Sequence, residues 1–201
     1  MSDGLVIENL TRPGLHPTSL QVDKGKCVAI HGPSGSGKSL FLRAVADLDP
    51  NNGKISLNGE SRAMMSAPEW RKKAAYLQPE SAWWHDKVEA HFMQLTAAKT
   101  LAETFGLQEE IFNWPTSRLS TGERQRLSLA MVLASKPPLL LLDEPTSALD
   151  SKNANAVELE LQKQMDSGSI ILMATHDRAQ MHRMASVALT FCSGKTKTEQ
   201  L

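Results

Sequence analysis

The stretch His31-Gly-Pro-Ser-Gly-Ser-Gly-Lys-Ser39 organises this chain of 201 residues. Residues 32–39 fit the pattern G-x-x-x-x-G-K-[ST], in which glycines allow backbone angles that point successive N–H groups at phosphate oxygens. In that pattern the lysine reaches the β- and γ-phosphates and the final hydroxyl ligates Mg²⁺. The sequence therefore predicts a nucleotide-binding loop made of Gly32, Pro33, Ser34, Gly35, Ser36, Gly37, Lys38 and Ser39.

The flanks of the loop agree with this prediction. Residues 27–30 form a short apolar run suited to a buried strand, and residues 40–48 are good helix formers without a breaker. A strand that enters the loop and a helix that leaves it place the helix N-terminus against the phosphates. The alternative, a chance glycine-rich turn, does not account for both flanks.

Composition limits the class of protein. Lys and Arg number 22, as do Asp and Glu, so no broad positive field is present to hold nucleic acid by charge alone. Two cysteines without metal-ligand spacing indicate a reduced, cytosolic protein. No window approaches the ~20 apolar residues of a membrane span, and the start of the chain does not have the pattern of a signal peptide.

Strands and helices alternate along most of the chain, which predicts an α/β fold. Short antiparallel strands near the N-terminus are expected at 5–7, 19–22 and 54–59, and buried strands at 74–77, 139–142, 170–174 and 187–191, with a polar tail from Ser193. Capping patterns begin helices at Ser66 and Ser120, and another helix follows Asp150. This order predicts a mostly parallel sheet covered by helices on both faces.

We expect one domain over residues 1–201. Residues 1–78 and 119–201 form the nucleotide-binding core, and about 79–118 form an inserted helical subdomain, because β-branched runs give way to helix formers at 89–95 and 97–103. The helix that begins after Ser120 is expected to continue to about residue 135.

Polar residues follow directly on several predicted strands, and carboxyl ends of parallel strands meet at one edge of a sheet. Asp143 is suited to hold Mg²⁺, and Glu144 to accept a proton from water that attacks the γ-phosphate. His176 is suited either to contact the γ-phosphate or to position the attacking water, while Gln78 taken alone is unremarkable. Each has a plainer interpretation, since adjacent acids often cap a turn and a single histidine is usually structural. The other five histidines, at 16, 31, 85, 91 and 182, are interpreted as structural.

Six motifs occur along the chain in the order in which one known protein family has them. They are Walker A at 32–39, a Q-loop at Gln78, a signature at 119–126, Walker B at 139–144, a D-loop at 147–150 and a switch histidine at 174–177. From about Leu5 to Phe191 the chain resembles the nucleotide-binding subunits of ATP-binding cassette (ABC) transporters, of the minimal single-cassette bacterial type.

The resemblance implies a P-loop NTPase (RecA-like) fold and an ATPase that works with Mg²⁺. It implies a homodimer that sandwiches two ATP head to tail and drives a separate integral-membrane permease, so that the chain is cytoplasmic and peripheral on the inner face of the cell membrane, without a nucleic-acid partner. It assigns catalysis to Glu144, His176, Gln78 and Lys38. It also assigns metal contacts to Ser39, Gln78 and Asp143, and nucleotide contacts to the loop residues, Ser120, Gly122 and Asp150.

Two departures from the family pattern stand out. The family signature L-S-G-G-Q is here Leu119-Ser-Thr-Gly-Glu123, which keeps one glycine and exchanges an amide for an acid. The family also stacks adenine on an aromatic residue soon after the first strand, but residues 1–40 contain no Phe, Tyr or Trp. Pro13 or His16 is expected to take that place.

Residues 81–86, Ser-Ala-Trp-Trp-His-Asp, lie where the family docks its membrane subunit. Two adjacent indoles suit an interface anchor, although both could instead pack inside the helical subdomain. Two other functions stay open at the level of sequence. One is a non-transport cassette ATPase that acts on nucleic acid or ribosomes, and the other is an ATP-gated interaction module that does not hydrolyse ATP.

Overall fold

The computed structural model describes residues 3–80, 82–192 and 195–201. Its strands are β1 (Gly4–Arg12), β2 (Leu15–Asp23), β3 (Cys27–His31), β4 (Asn52–Leu57), β5 (Glu60–Ser61), β6 (Ala74–Leu77), β7 (Leu139–Asp143), β8 (Ile170–Ala174), β9 (Val187–Cys192) and β10 (Lys195–Gln200). Its α-helices are α1 (Lys38–Val45), α2 (Ala67–Lys73), α3 (Leu95–Thr104), α4 (Thr121–Ala134), α5 (Ser151–Asp166) and α6 (Arg178–Met184).

The strands form two sheets. A six-stranded sheet has the order β10-β9-β3-β8-β7-β6, and every pair in it is parallel except β10 with β9. A four-stranded sheet has the order β2-β1-β4-β5 and is antiparallel throughout. The predicted α/β class, with a mostly parallel sheet and an antiparallel region near the N-terminus, is confirmed.

The central strands are buried on both faces. Along β7, Leu139 and Leu141 pack in one apolar cluster with Phe41 of α1, whereas Leu140 and Leu142 pack in a second cluster with residues of α4 and α5. Side chains of a strand alternate between its two faces, so this division shows that helices cover both sides of the sheet. All five residues of β8 are likewise buried.

Local capping predictions are confirmed at both helix starts. The backbone amide of Ser66 donates to the Glu69 carboxylate at 2.9 Å before α2, and the amide of Ser120 donates to Glu123 at 2.8 Å before α4. The second helix ends at Ala134, close to the expected residue 135. Satisfied N-terminal groups fix where each helix begins.

The helix formers at 89–95 give only a 3-10 turn, Glu89–His91, before α3 begins at Leu95. One prediction at the level of elements is wrong. The expected polar tail is the strand β10, which pairs antiparallel with β9. Ser193, the first residue of the predicted tail, lies outside the described residues. The same holds for Ser81, the first residue of the predicted docking segment. The division into a core and an inserted segment at about 79–118 stays a prediction.

Among the described residues, no helix combines the length and the apolar character needed to span a lipid bilayer.

Candidate functional site

The parallel strands bring the predicted site residues to one edge of the six-stranded sheet. The phosphate loop follows β3, Gln78 follows β6, Asp143 ends β7, and His176 lies two residues after β8. In the order β3-β8-β7-β6 these four strands are neighbours and run in the same direction. The site therefore lies beyond the carboxyl ends of the strands, where α/β sheets bind ligands.

The phosphate loop holds its lysine across its own backbone. The Lys38 ammonium, which is 7% exposed, donates to the carbonyl oxygens of Gly32 at 2.9 Å and Pro33 at 3.1 Å. Gly37 has φ 108°, which other residues rarely adopt, and leads directly into α1. A Cβ on Gly32 would lie 2.3 Å from the Phe191 carbonyl oxygen, so only glycine fits there. The loop thus has the backbone form that a phosphate nest requires.

The first acid of the site is buried and partnered. Asp143 is 2% exposed, and its Oδ2 accepts a hydrogen bond from the Tyr76 hydroxyl at 3.1 Å. Burial, reinforced by the Asp143 charge, raises the pKa of the Tyr76 hydroxyl far above its ordinary value. Tyr76 therefore remains a neutral donor that orients the carboxylate toward the edge of the sheet.

The second acid lies beside the switch histidine. Glu144 is half-buried, and its Oε1, which is buried, lies 3.3 Å from His176 Nε2 and accepts no hydrogen bond from any residue that the structure describes. Burial raises the pKa of the Glu144 carboxyl; Asp143 adds to that effect, whereas His176 and Lys38 oppose it. A carboxylate with a raised pKa is a better proton acceptor, and an unpartnered oxygen is free to accept one.

Three predicted nucleotide contacts, Ser120, Gly122 and Asp150, lie at the starts of helices α4 and α5. Ser120 caps α4, and its hydroxyl donates to Glu123 at 2.7 Å. Asp150 caps α5 by accepting from the Asn153 amide at 2.8 Å, which lowers the pKa of its carboxyl. In the described part of the chain, no hydrogen bond joins residues 32–39 to Ser120, Gly122 or Asp150.

The residues near the loop suit a magnesium ion. Ser39 is exposed in the first turn of α1, Asp143 ends β7, and Gln78 is half-buried after β6. A hydroxyl, a carboxylate and an amide oxygen are the hard oxygen ligands that Mg²⁺ accepts, in the small number it takes when phosphates and water complete its shell.

The antiparallel sheet brings its first turn to the loop. Pro13, in the turn between β1 and β2, and His16, the second residue of β2, are both exposed. A Cβ on Gly14, in the same turn, would lie 3.1 Å from Leu40 Cδ1 at the start of α1. The two residues that were expected to replace the adenine-stacking aromatic therefore lie beside the phosphate loop.

A groove of about 400 Å³ opens next to Gln78. It is lined by residues of β6, by Leu48 after α1, and by Met131 and Val132 of α4. Trp84, which is 68% exposed, forms part of its wall, whereas Trp83 packs on His91 and Phe92 with ring centroids 4.8 and 6.4 Å away. Trp84 also lies 4.8 Å from the His91 ring, so the two indoles share that neighbour and differ in their exposure.

Sequence reasoning missed three residues that shape the site. Tyr76 binds Asp143, and Gln125 donates to the backbone carbonyl of Glu144 at 2.8 Å. His91 Nε2 accepts from the amides of Trp84 and His85, each at 3.0 Å, and so holds the segment that carries Trp84. Tyr76 precedes Gln78 by two residues, which offered a weak signal; the other two depend on contacts that sequence spacing does not reveal.

The sheet order, the glycine-rich loop and the acids beyond β7 define a P-loop nucleotide triphosphatase. The chain belongs to the ABC transporter family, whose model matches residues 15–147, and within that family it is an ATP-hydrolysing, ATP-binding subunit.

Similar proteins include ATP-binding subunits with different names. The lipoprotein-releasing system ATP-binding protein LolD of Shewanella oneidensis is 35% identical over 195 residues, which cover 88% of this chain and 84% of that protein. A probable anion import ATP-binding protein of Haloferax volcanii is 28% identical, over 96% of this chain and 74% of that protein. The dimeric, post-hydrolysis structure of the cassette MJ0796 with ADP and Pi is 25% identical, with a TM-score of 0.85 and 98% of both chains covered.

Proposed function

We propose that this chain works as a head-to-tail homodimer that closes over two ATP, hydrolyses them and so drives a separate membrane-embedded permease. The observation that carries the catalytic part is the half-buried Glu144, whose Oε1 is buried next to His176 and accepts no hydrogen bond from the described residues. Relatives named for lipoprotein release and for anion import are similar to this chain. We infer that ATP hydrolysis is the activity they share and that the permease determines which substrate is transported.

The proposed hydrolysis assigns a task to each residue at the rim. The loop amides and Lys38 bind the phosphates, with the lysine exchanging its two carbonyl partners for phosphate oxygens. Bound Mg²⁺, held by Ser39, Asp143 and Gln78, would offset phosphate charge. Glu144 accepts a proton from the attacking water. The oxygen of that water bonds to the γ-phosphorus, and the bond from the γ-phosphorus to the bridging oxygen of ADP breaks. His176 orients the γ-phosphate.

The partner subunit is proposed to complete each site. Ser120 and Gly122 begin α4, and the free N–H groups of a helix N-terminus attract phosphate. Asp150, exposed at the start of α5, is proposed to contact the partner's site as well. Pro13 and His16 are proposed to pack against the adenine, with a proline ring and an imidazole in place of a Phe, Tyr or Trp side chain.

Replacing the proposed base tests this function. Glu144→Gln keeps the size of the side chain but removes its basicity, so we expect ATP binding within about twofold of the wild type and a fall in turnover of about 100-fold or more. Steady-state phosphate release and equilibrium ATP binding measure the two effects. Turnover near that of the wild type would remove Glu144 as the base.

The permease is proposed to dock in the groove beside Gln78, on the exposed face of Trp84. The groove lies next to Gln78, a predicted magnesium ligand, so a movement of the docked permease would shift a residue of the nucleotide site. Tagged Glu144→Gln, purified with ATP from detergent-solubilised membranes, is expected to bring a polytopic membrane protein in stoichiometric amount. Recovery of a homodimer alone or with nucleic acid would favour the non-transport alternatives and place the chain away from the inner face of the membrane.

A further inference from the structure

We propose that Gln125 is a positioning residue that connects α4, the helix of the signature motif, to Glu144 of the same chain. The inference rests on the proposed function, in which Glu144 acts on the ATP bound by its own phosphate loop. It adds a physical connection between the two ATP sites of the dimer.

The first contact fixes the backbone of Glu144. Gln125 is buried at 7% exposure, and its Nε2 donates to the Glu144 carbonyl oxygen at 2.8 Å. Glu144 has φ 53°, a left-handed conformation that is uncommon outside glycine and needs support from its surroundings. Ser147 supplies further donors to the same carbonyl, its amide at 3.3 Å and its hydroxyl at 3.1 Å, while the Glu144 amide donates to Ala174 at 3.0 Å. Together these bonds set the direction in which the carboxylate points.

A second contact lies one turn earlier on the same helix. A Cβ on Gly122 would be 3.4 Å from the carbonyl oxygen of Ala148, so the start of α4 lies against the segment that follows Glu144. Residues 122 and 125 are three apart and share one face of the helix. The helix therefore contacts the 144–148 segment at two points, and a shift of the helix moves that segment.

In the proposed dimer the start of α4 contacts the ATP bound by the partner subunit. Glu144 instead acts on the ATP bound by its own chain. Gln125 lies between the two, so closure of the helix on one nucleotide is transmitted to the carboxylate at the other. Helix α4 is thus the single element that contacts both sites in the proposed dimer, which is the physical basis of the proposed coupling.

The competing explanation is that Gln125 only satisfies a buried carbonyl. That role would affect folding stability and leave turnover at saturating ATP unchanged. Gln125→Met keeps the length and volume of the side chain while removing the donor. Gln164→Met is the matched control, since Gln164 is also buried and its Nε2 reaches a backbone carbonyl, that of Leu133 at 3.5 Å, away from the site.

We expect Gln125→Met to lower kcat about tenfold, with KM and the ATP dissociation constant within about twofold of the wild type. Gln164→Met is expected to keep kcat within about twofold. Because Gln125 acts through Glu144, adding Gln125→Met to Glu144→Gln should leave the residual turnover unchanged. If Gln125→Met does not fold, Gln125→Leu gives the same test, because it also removes the donor without adding a charge.

Three outcomes would overturn the inference: a kcat within twofold of the wild type, a parallel loss of ATP affinity, or a further loss of turnover in the Glu144→Gln background. The proposed function fails separately. If Glu144→Gln is inactive and Gln125→Met is normal, only the role of Gln125 is wrong. If Glu144→Gln turns over normally, Glu144 is not the base and both assignments are wrong.

Discussion

Asp49 pairs with two arginines outside the site. Its carboxylate accepts from Arg43 Nε at 2.7 Å and Nη2 at 2.8 Å, and it also pairs with Arg12. The hydrogen bonds from Arg43, helped by Arg12, lower the pKa of the Asp49 carboxyl to about 2. These contacts connect β1 to the segment after α1, just behind the phosphate loop, so Asp49 contributes to the stability of the nucleotide site.

We expect Asp49→Asn to reduce the free energy of unfolding by about 1–2 kcal/mol at pH 7. A lowered folded-state pKa gives stability that is present above the unfolded pKa, near 4, and is lost as pH falls toward 2. The difference between wild type and variant should therefore shrink between pH 4 and pH 2. Thermal unfolding across that range measures it, with Asp166→Asn, an exposed acid, as control. A difference that does not depend on pH would contradict the charged-pair explanation.

At the scale of elements, the sequence predicts buried strands far better than polar ones. Residues 74–77 and 170–174 were predicted with the bounds that the structure has, because apolar runs with clear ends suit only a covered sheet. The strand β10 reads Lys-Thr-Lys-Thr-Glu-Gln, and most of its residues are exposed. The strand β10 forms because its backbone pairs with that of β9. Its sequence has no hydrophobic pattern from which this pairing could be predicted.

The same limit applies to the candidate site. Loop glycines, Asp143, Glu144 and His176 follow strands, so topology alone brings them to one edge. Gln125 lies mid-helix, and its role depends on how α4 packs against the Walker B segment. Polar side chains whose partners are distant in sequence carry no periodic signal, and sequence reasoning therefore missed this one.

Trp83 and Trp84, which precede the 3-10 turn, are expected to have different roles, one in stability and the other in binding the membrane partner. Trp84 is exposed on the groove, so Trp84→Ala is expected to reduce recovery of the membrane partner about tenfold and to leave ATP affinity unchanged. Because the Trp84 ring also lies 4.8 Å from that of His91, we expect a small loss of thermal stability. Trp83→Ala removes packing against His91 and Phe92 and should lower the unfolding midpoint. Co-purification from detergent-solubilised membranes and thermal unfolding provide the two measurements. Equal partner recovery by Trp84→Ala and wild type would argue against this docking surface.

At the scale of the whole molecule, the phosphate loop and the signature residues belong to one chain but are not joined within it by any hydrogen bond of the described residues. Ser120 and Gly122 contact Glu123 and the segment at Ala148 instead. In the proposed head-to-tail arrangement, a site built from both needs a second copy of the chain. A two-fold dimer supplies it twice, because each chain gives its loop to one site and its signature to the other.

Mixing two inactive variants tests this arrangement. Lys38→Ala removes the phosphate-binding cation, and Gly122→Asp places a carboxylate where the partner's γ-phosphate is expected, so each homodimer has two defective sites. A mixed dimer joins the intact loop of one chain to the intact signature of the other, which restores one site of two. Since about half of the dimers in an equal mixture are mixed, we expect ATPase activity to recover to at most about a quarter of the wild type. Sites formed within single chains would give no recovery, and the mixture would then be as inactive as its components.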